Sequence, residues 1–279
     1  MKKNRIGNVM GSCCLAVWVF FSVSAQQPSK GPLFVENGIT AHRGASLAEP
    51  ENSLRAFAAG IAAGADWIET DVYRTADGQL VLIHNPDTWS YCATTLKIEE
   101  STYAALRELD LAEKFRAKRG LTLASCPPHR IVRLEEAIAL ILKERKARLS
   151  IQPKSDCVDQ AMAVVRAKGA LDWVGFNDGS LAKMRRVKEL APSVTVFWDR
   201  YRSNLDRDIE IAKRHGFEWL VLNRGDLTRA NVEKLQAAGF KVGVWTVNRP
   251  DDMKRCLEMG VTRLYTDDPA ALKRVMEKR

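Results

Sequence analysis

The sequence predicts a single (β/α)8 barrel, a closed ring of parallel strands wrapped by helices, and three observations support it. From Gly38 onward, short apolar runs alternate with stretches whose apolar residues recur every three or four positions. Such β-then-α units mean parallel strands joined by right-handed crossovers. Several helical patterns stop at a glycine followed at once by a strand: Gly64, Gly216, Gly239 and Gly260. Glycine there supplies the left-handed residue that ends a helix. About eight such units fill the chain, the number a closed barrel needs. A doubly wound open sheet is the alternative, but no G-x-G-x-x-G loop follows the first strand, which disfavours its commonest form.

The candidate strands are, in order, "GITAH", "WIETDV", "LVLIH", "RLSIQ", "WVGF", "VTVFW", "WLVL", "KVGVWTV" and "TRLYT". Helical spacing marks "LEEAIALILKE", "DQAMAVVRAKG" and "NVEKLQAAG" among the intervening stretches. Two places are irregular. Between Asp71 and His84 there is no room for a crossover helix, so if both strands are parallel the chain descends in an extended segment, with Asp77-Gly78 making the reversal. Residues 86–130 are too long for an ordinary loop, and they are expected to form a small insertion after the third strand, at the barrel mouth, with one helical pattern in "STYAALRELDLAEKF".

Residues 1–25 are expected to be a secretory signal peptide, and 26–279 the single barrel domain. Lys2, Lys3 and Arg5 form a positive start, "CCLAVWVFFSV" an apolar run, and "VSA" a small-residue site before Gln26. A membrane anchor is the alternative, but Gly, Asn and Ser interrupt the uncharged stretch. Cleavage would leave an exported chain, periplasmic or secreted, of 254 residues with no stable membrane anchor. It would lower the net charge from +9 to +6 by removing three cations. The remaining basic runs, such as "LKERKAR" and "KMRRVK", lack aromatic interleaving and belong to solvated helix faces, so nucleic acid is not an expected partner. A modest positive field favours anionic substrates. Cys92, Cys126, Cys157 and Cys256 match no zinc spacing. Export permits disulfides, and Cys126–Cys157 is the pairing that the layout favours.

Four motifs fall at the C-terminal ends of candidate strands, where a barrel keeps its active site: "AHRG", "IETD", "LIHN" and "IQPK". Glu69 and Asp71 sit two apart on one strand and so share a face. Paired hard oxygens suit a divalent cation such as Mg2+ or Ca2+, and an internal salt-bridge network with Arg43 and Lys154 is the alternative. His42 and His84 suit a general acid and base, since imidazole titrates near neutrality. Arg43 and Lys154 supply the charge that a phosphodiester oxygen needs. Trp245 ends a late strand and either walls the pocket or belongs to the core. Trp89 and Tyr91 offer an apolar lip or pack on the barrel. His129 and His215 are expected to be structural. No G-x-S-x-G elbow or Walker loop is present, so metal-assisted phosphoryl chemistry remains.

The chain resembles the glycerophosphodiester phosphodiesterase family. "AHRGA" followed by "EPENSLRAF", "IETDVYRTADGQLVLIH", "SIQPK", "VWTVN" and "YTDDP" carry the resemblance from Ile39 to Pro269. It implies a barrel with a small insertion after the third strand, a divalent metal, and cleavage of a small glycerophosphodiester to an alcohol and glycerol 3-phosphate. It further implies His42 and His84 as the acid/base pair, Glu69 and Asp71 on the metal, and Arg43 and Lys154 on the phosphate. Two positions depart from the family pattern. Gln152 stands where a metal-binding Glu is usual, and its carbonyl ligates without a formal charge. Asn85 stands where Asp usually follows the second histidine. Two other functions stay open: a phospholipase-like or sugar-phosphodiester enzyme, and an exported phosphate-binding protein with a degenerate site.

Overall fold

The computed structural model describes residues 1 and 36–278. The expected leader, 1–25, lies outside the described residues apart from Met1. Eight parallel strands form the barrel: β1 (Ile39–Ala41), β2 (Trp67–Arg74), β5 (Arg148–Pro153), β6 (Val174–Asp178), β7 (Thr195–Arg200), β8 (Trp219–Asn223), β9 (Lys241–Trp245) and β10 (Arg263–Thr266). The ring closes because β1 pairs in parallel with both β2 and β10. The helices begin and end by familiar chemistry. Ser53, Ser180, Asn204 and Thr228 cap N-termini with their side chains, and Gly216 ends the helix Leu205–His215 at φ +66°.

The period-2 alternation of β2 explains its two acids. Ile68, Thr70 and Val72 point away from the barrel axis, where Ile68 and Val72 join the large apolar cluster packed beneath the helices. Trp67, Glu69 and Asp71 point inward. Deep in the barrel, Trp67 packs with Phe197, Trp219, Val221 and Tyr265 in a separate cluster. The Trp67 and Phe197 rings meet edge-on at 4.9 Å. Gly175 makes room for them: a Cβ there would come within 2.9 Å of both rings. Buried Arg263 pairs with Asp66 at 3.3 Å and lies beside the rings of Trp67, Phe197 and Trp219. The closed end is thus filled, and polar inward residues gather at the other end.

β3 (Leu80–Leu82) is not a barrel stave. It pairs antiparallel with β2, after a turn in which Gly78 has φ +79°. β4 (Val132–Arg133), which the sequence reading lacked, pairs antiparallel with β3. The parallel option is therefore replaced by a hairpin, because a short turn permits only an antiparallel return. The insertion follows this third strand. It has its own small core, including Tyr73, Val81, Ile83, Cys92, Ile98 and Leu106. Its helical pattern is split into α2 (Tyr103–Arg107) and α3 (Glu113–Arg119). The break falls at Asp110, whose carboxylate accepts from the backbone N–H groups of Ala112 and His129. Cys92, Cys126, Cys157 and Cys256 are all free and buried, so the Cys126–Cys157 bridge does not form. Cys126, in the insertion, instead accepts from Arg55 of the helix Leu54–Ala62, while Cys157 donates towards Val72 O under β2.

His129 is buried in the insertion, and its burial predicts a pH response. Burial, with the Arg55 charge adding, lowers its pKa to about 4. An unfolded imidazole titrates near pH ~6.5, so below that the unfolded chain binds a proton that the folded chain refuses. This penalty is absent above pH ~6.5 and grows as pH falls towards ~4, reaching roughly 3 kcal/mol. Urea midpoints at about pH 7 and about pH 4.5 should differ less in His129→Gln than in wild type. An identical pH dependence in both would contradict the assignment.

Candidate active site

His42, Arg43, Glu69, His84, Gln152, Lys154 and Trp245 line one cleft of about 370 Å³ at the C-terminal ends of the strands. Asp71, the remaining residue singled out from the sequence, lies fully buried against the base of this group. It meets Arg43 Nε at 3.3 Å and Lys154 Nζ at 3.6 Å. The structure thus joins all eight, with Asp71 as the counterion that holds the two cations. Salt-bridge network and anionic site turn out to be the same residues.

Each imidazole is fixed through Nδ1. His42 Nδ1 lies 2.7 Å from Asp267 Oδ1, and His84 Nδ1 lies 2.8 Å from Asn85 Oδ1. Asn85 Nδ2 donates to Ser90 Oγ, which leaves its carbonyl oxygen to accept from His84. Among the described residues, the hydrogen bonds of both rings are made through Nδ1. The partners differ in charge, and the two rings shift in opposite directions. For His42, burial opposes protonation, but the Asp267 hydrogen bond and the Glu69 charge outweigh it and raise the pKa. For His84, burial and the charges of Arg43 and Lys154 outweigh Asp71 and lower it.

Arg43 organises the acids in two ways. It sits at φ 57°, a left-handed conformation uncommon for a side-chain-bearing residue. That conformation accompanies a backbone N–H donated to Glu69 Oε2 at 3.0 Å, while its guanidinium reaches Glu51 and Asp71. Burial first, and then the Asp71 charge, raise Glu69 to about 7. Among the described residues, buried Asp71 Oδ1 has no hydrogen bond, with Lys154 Nζ 3.6 Å away. The Gln152 amide is stretched between neighbours, its oxygen accepting from Lys154 Nζ at 3.2 Å and its nitrogen donating to Asp199 Oδ2 at 3.4 Å.

A paired imidazole and carboxylate cluster at a barrel mouth, with a guanidinium and an ammonium beside it, is what the sequence motifs anticipate. The model of the glycerophosphoryl diester phosphodiesterase family matches residues 42–271. The chain belongs to that family. It is accordingly a phosphoric diester hydrolase. A Bacillus subtilis (strain 168) protein named uncharacterized protein YqiK is 32% identical, over 83% of this chain and 95% of its own length. A protein of Caldanaerobacter subterraneus named glycerophosphodiester phosphodiesterase is 28% identical, over 86% of this chain and 98% of its own. Among solved structures, a putative glycerophosphoryl diester phosphodiesterase from Silicibacter pomeroyi superposes with TM-score 0.75 at 23% identity, covering 89% and 94% of the two chains. An Oleispira antarctica phosphodiesterase in complex with the product sn-glycerol-3-phosphate gives 0.72 at 20%, covering 86% and 96%. At those identities the structural likeness is one of fold.

Three residues of this phosphodiesterase mouth went unassigned in the sequence. Asp267 follows the last strand, and it meets His42 only because β10 closes onto β1, with Thr266 in register with Ala41. Asn52 is buried and takes Thr70 Oγ1 and the Asp71 N–H on its side-chain oxygen, while its amide donates to Asp71 Oδ2. Asp199, on β7, lines the cleft, and its buried Oδ1 has no hydrogen-bond partner among the described residues. Burial, and then Asp178, push its pKa well above the usual carboxylate range. "YTDDP" and "EPENS" were visible signals for the first two. Nothing local marked Asp199 in "FWDR".

Proposed function

We propose that the protein hydrolyses glycerophosphodiesters to an alcohol and glycerol 3-phosphate, with His84 as general base and His42 as general acid. The observation that carries this is the pair of imidazoles, each hydrogen-bonded at Nδ1 and both lining one cleft beside Arg43 and Lys154. Burial and the charges of Arg43 and Lys154, which outweigh Asp71 and the Asn85 hydrogen bond, favour an unprotonated His84 Nε2. The Asp267 carboxylate favours a protonated His42. His84 Nε2 takes the proton of the attacking hydroxyl as the new P–O bond forms. His42 Nε2 gives its proton to the alcohol oxygen as the old P–O bond breaks. Attack by water gives glycerol 3-phosphate directly. Attack by the substrate's own glycerol hydroxyl gives a cyclic phosphate that water then opens, with His42 as base and His84 as acid. Arg43 and Lys154 hold the phosphoryl oxygens, and Asp71 fixes both cations behind them. Trp245 is assigned to the substrate wall.

The acids fit a hard divalent cation. Two buried carboxylate oxygens, on Asp71 and Asp199, lack hydrogen bonds, and Glu69 is held near neutrality. An added positive charge would relieve both conditions. Among the described residues, no three imidazole, thiol or carboxyl groups form a metal cage unaided, which agrees with an amide at position 152. We assign Glu69, Asp71 and Gln152 to Mg2+ or Ca2+, which when bound supplies Lewis-acid polarisation of the phosphoryl group. Chelator should abolish glycerol 3-phosphate release from glycerophosphoethanolamine, and calorimetry should show Gln152→Glu binding Mg2+ roughly tenfold or more tightly than wild type. Full turnover in chelator would remove the cation from this mechanism. Export is proposed from the leader pattern. An N-terminus at Gln26 in osmotic-shock fluid would support it, and an intact Met1 on cytoplasmic protein would overturn it.

A further inference from the structure

A second cleft, of about 320 Å³, opens beside the catalytic one and shares Arg43 with it. The insertion supplies its far wall. Lys114, Phe115, Lys118 and Arg119 line it from α3, and the spacings from 114 to 118 and from 115 to 119 place them on one helix face. The rotation of α3 is fixed from its other side. Buried Arg116 binds the Asp110 carboxylate and the Cys126 carbonyl, so the helix cannot turn its cations outward without breaking a buried pair.

The balance of charge in this cleft is one-sided. Among the described residues, Lys114, Lys118 and Arg119 have no carboxylate partner, although Lys114 donates to the Trp89 carbonyl and lies 4.8 Å from the Trp89 ring. Arg119 stacks 3.7 Å from the Phe115 ring and donates to the Leu47 carbonyl. Among the described residues, Glu51 is the single acid of the lining, and it is occupied by Arg43 and by the Tyr91 hydroxyl. Asn85, which also lines the cleft, adds no charge. Clustered cations in a concave site attract anionic groups.

On the basis of the phosphodiesterase function above, we propose that this cleft receives the alcohol half of the substrate, and that the preferred alcohol carries an additional anionic group, a phosphate or a carboxylate. The glycerophosphoryl half occupies the catalytic cleft, and the leaving alcohol passes Arg43 towards α3. The scissile diester and the extra anion thus meet separate cationic groups.

Glycerophosphoinositol and its 4-phosphate differ by one phosphate and serve as the probe pair. With Mg2+ supplied, wild type should show kcat/KM roughly tenfold or more higher for the phosphorylated diester, mainly through KM, and the ratio should shrink with added salt. In a Lys118→Glu, Arg119→Glu double variant the ratio should fall to about one or below. A wild-type ratio of one, or one unchanged in the variant, would overturn the proposal. So would cleavage confined to micellar phosphatidylinositol 4-phosphate. If neither soluble diester is cleaved, the catalytic assignment has failed, and calorimetry then decides for the cleft. Tighter binding of the 4-phosphate than of glycerophosphoinositol would support it, and equal or absent binding would refute it.

Discussion

Replacing His84 with alanine should lower kcat on a glycerophosphodiester by roughly a thousandfold, and His42→Ala should cost a similar factor. Both rings are held at Nδ1 and line one cleft, so each truncation removes a proposed proton-transfer group and leaves Arg43 and Lys154, proposed to hold the phosphate, in place. The loss should therefore appear in kcat rather than in KM. An activated leaving group separates the two roles. A p-nitrophenyl ester needs little proton donation, so it should restore much of the rate to His42→Ala and little to His84→Ala. Equal rescue of both would reverse or void the assignment. Asp267→Asn provides a milder test through His42. It keeps a hydrogen-bond acceptor for Nδ1 but removes the charge that favours the imidazolium, and it should lie between wild type and His42→Ala.

Trp67→Ala should destabilise the barrel by about 3–5 kcal/mol, lowering the melting temperature on the order of 10 °C. Trp67 is 2% exposed, with Phe197 edge-on at 4.9 Å and the Arg148 guanidinium 4.4 Å from its ring. The ring fills the deep interior where Gly175 has given up a side chain to admit it. Its neighbours come from rigid strands all round the ring, so the cavity has little scope to collapse. Glu69 stands two residues further along the same inward row, and loss of the plug should also loosen the site it supports. Denaturant unfolding measures the effect, and a cost below about 1 kcal/mol would mean that the interior is not packed as described.

Much of this fold was legible because burial imposes period. All nine candidate strands are strands, and the alternation of "WIETDV" placed Glu69 and Asp71 on one inward face. The direction of the third strand was open from its apolar content alone, since "LVLIH" has the same pattern whichever way it runs. The shortness of the "YRTADGQ" turn was the signal for antiparallel pairing. Leu109, Asp110 and Leu111 looked helical by spacing, yet one Asp side chain diverts the backbone there. The site was legible where a motif lies on one strand end, as for His42 with Arg43 or Gln152 with Lys154. It was not legible where barrel closure makes the contact. Asp267 meets His42 across 225 positions of sequence, and Asp199 meets Gln152 across 47. No local pattern encodes such pairs.

Phosphorus NMR of glycerophosphoethanolamine incubated with the purified protein and Mg2+ tests most directly whether this mouth is the catalytic centre. A phosphomonoester resonance at the position of glycerol 3-phosphate should grow with wild type and stay absent with folded His84→Ala over the same interval. A diester resonance that persists with wild type, a product identified as phosphoethanolamine, or equal turnover by the His84 variant would contradict it.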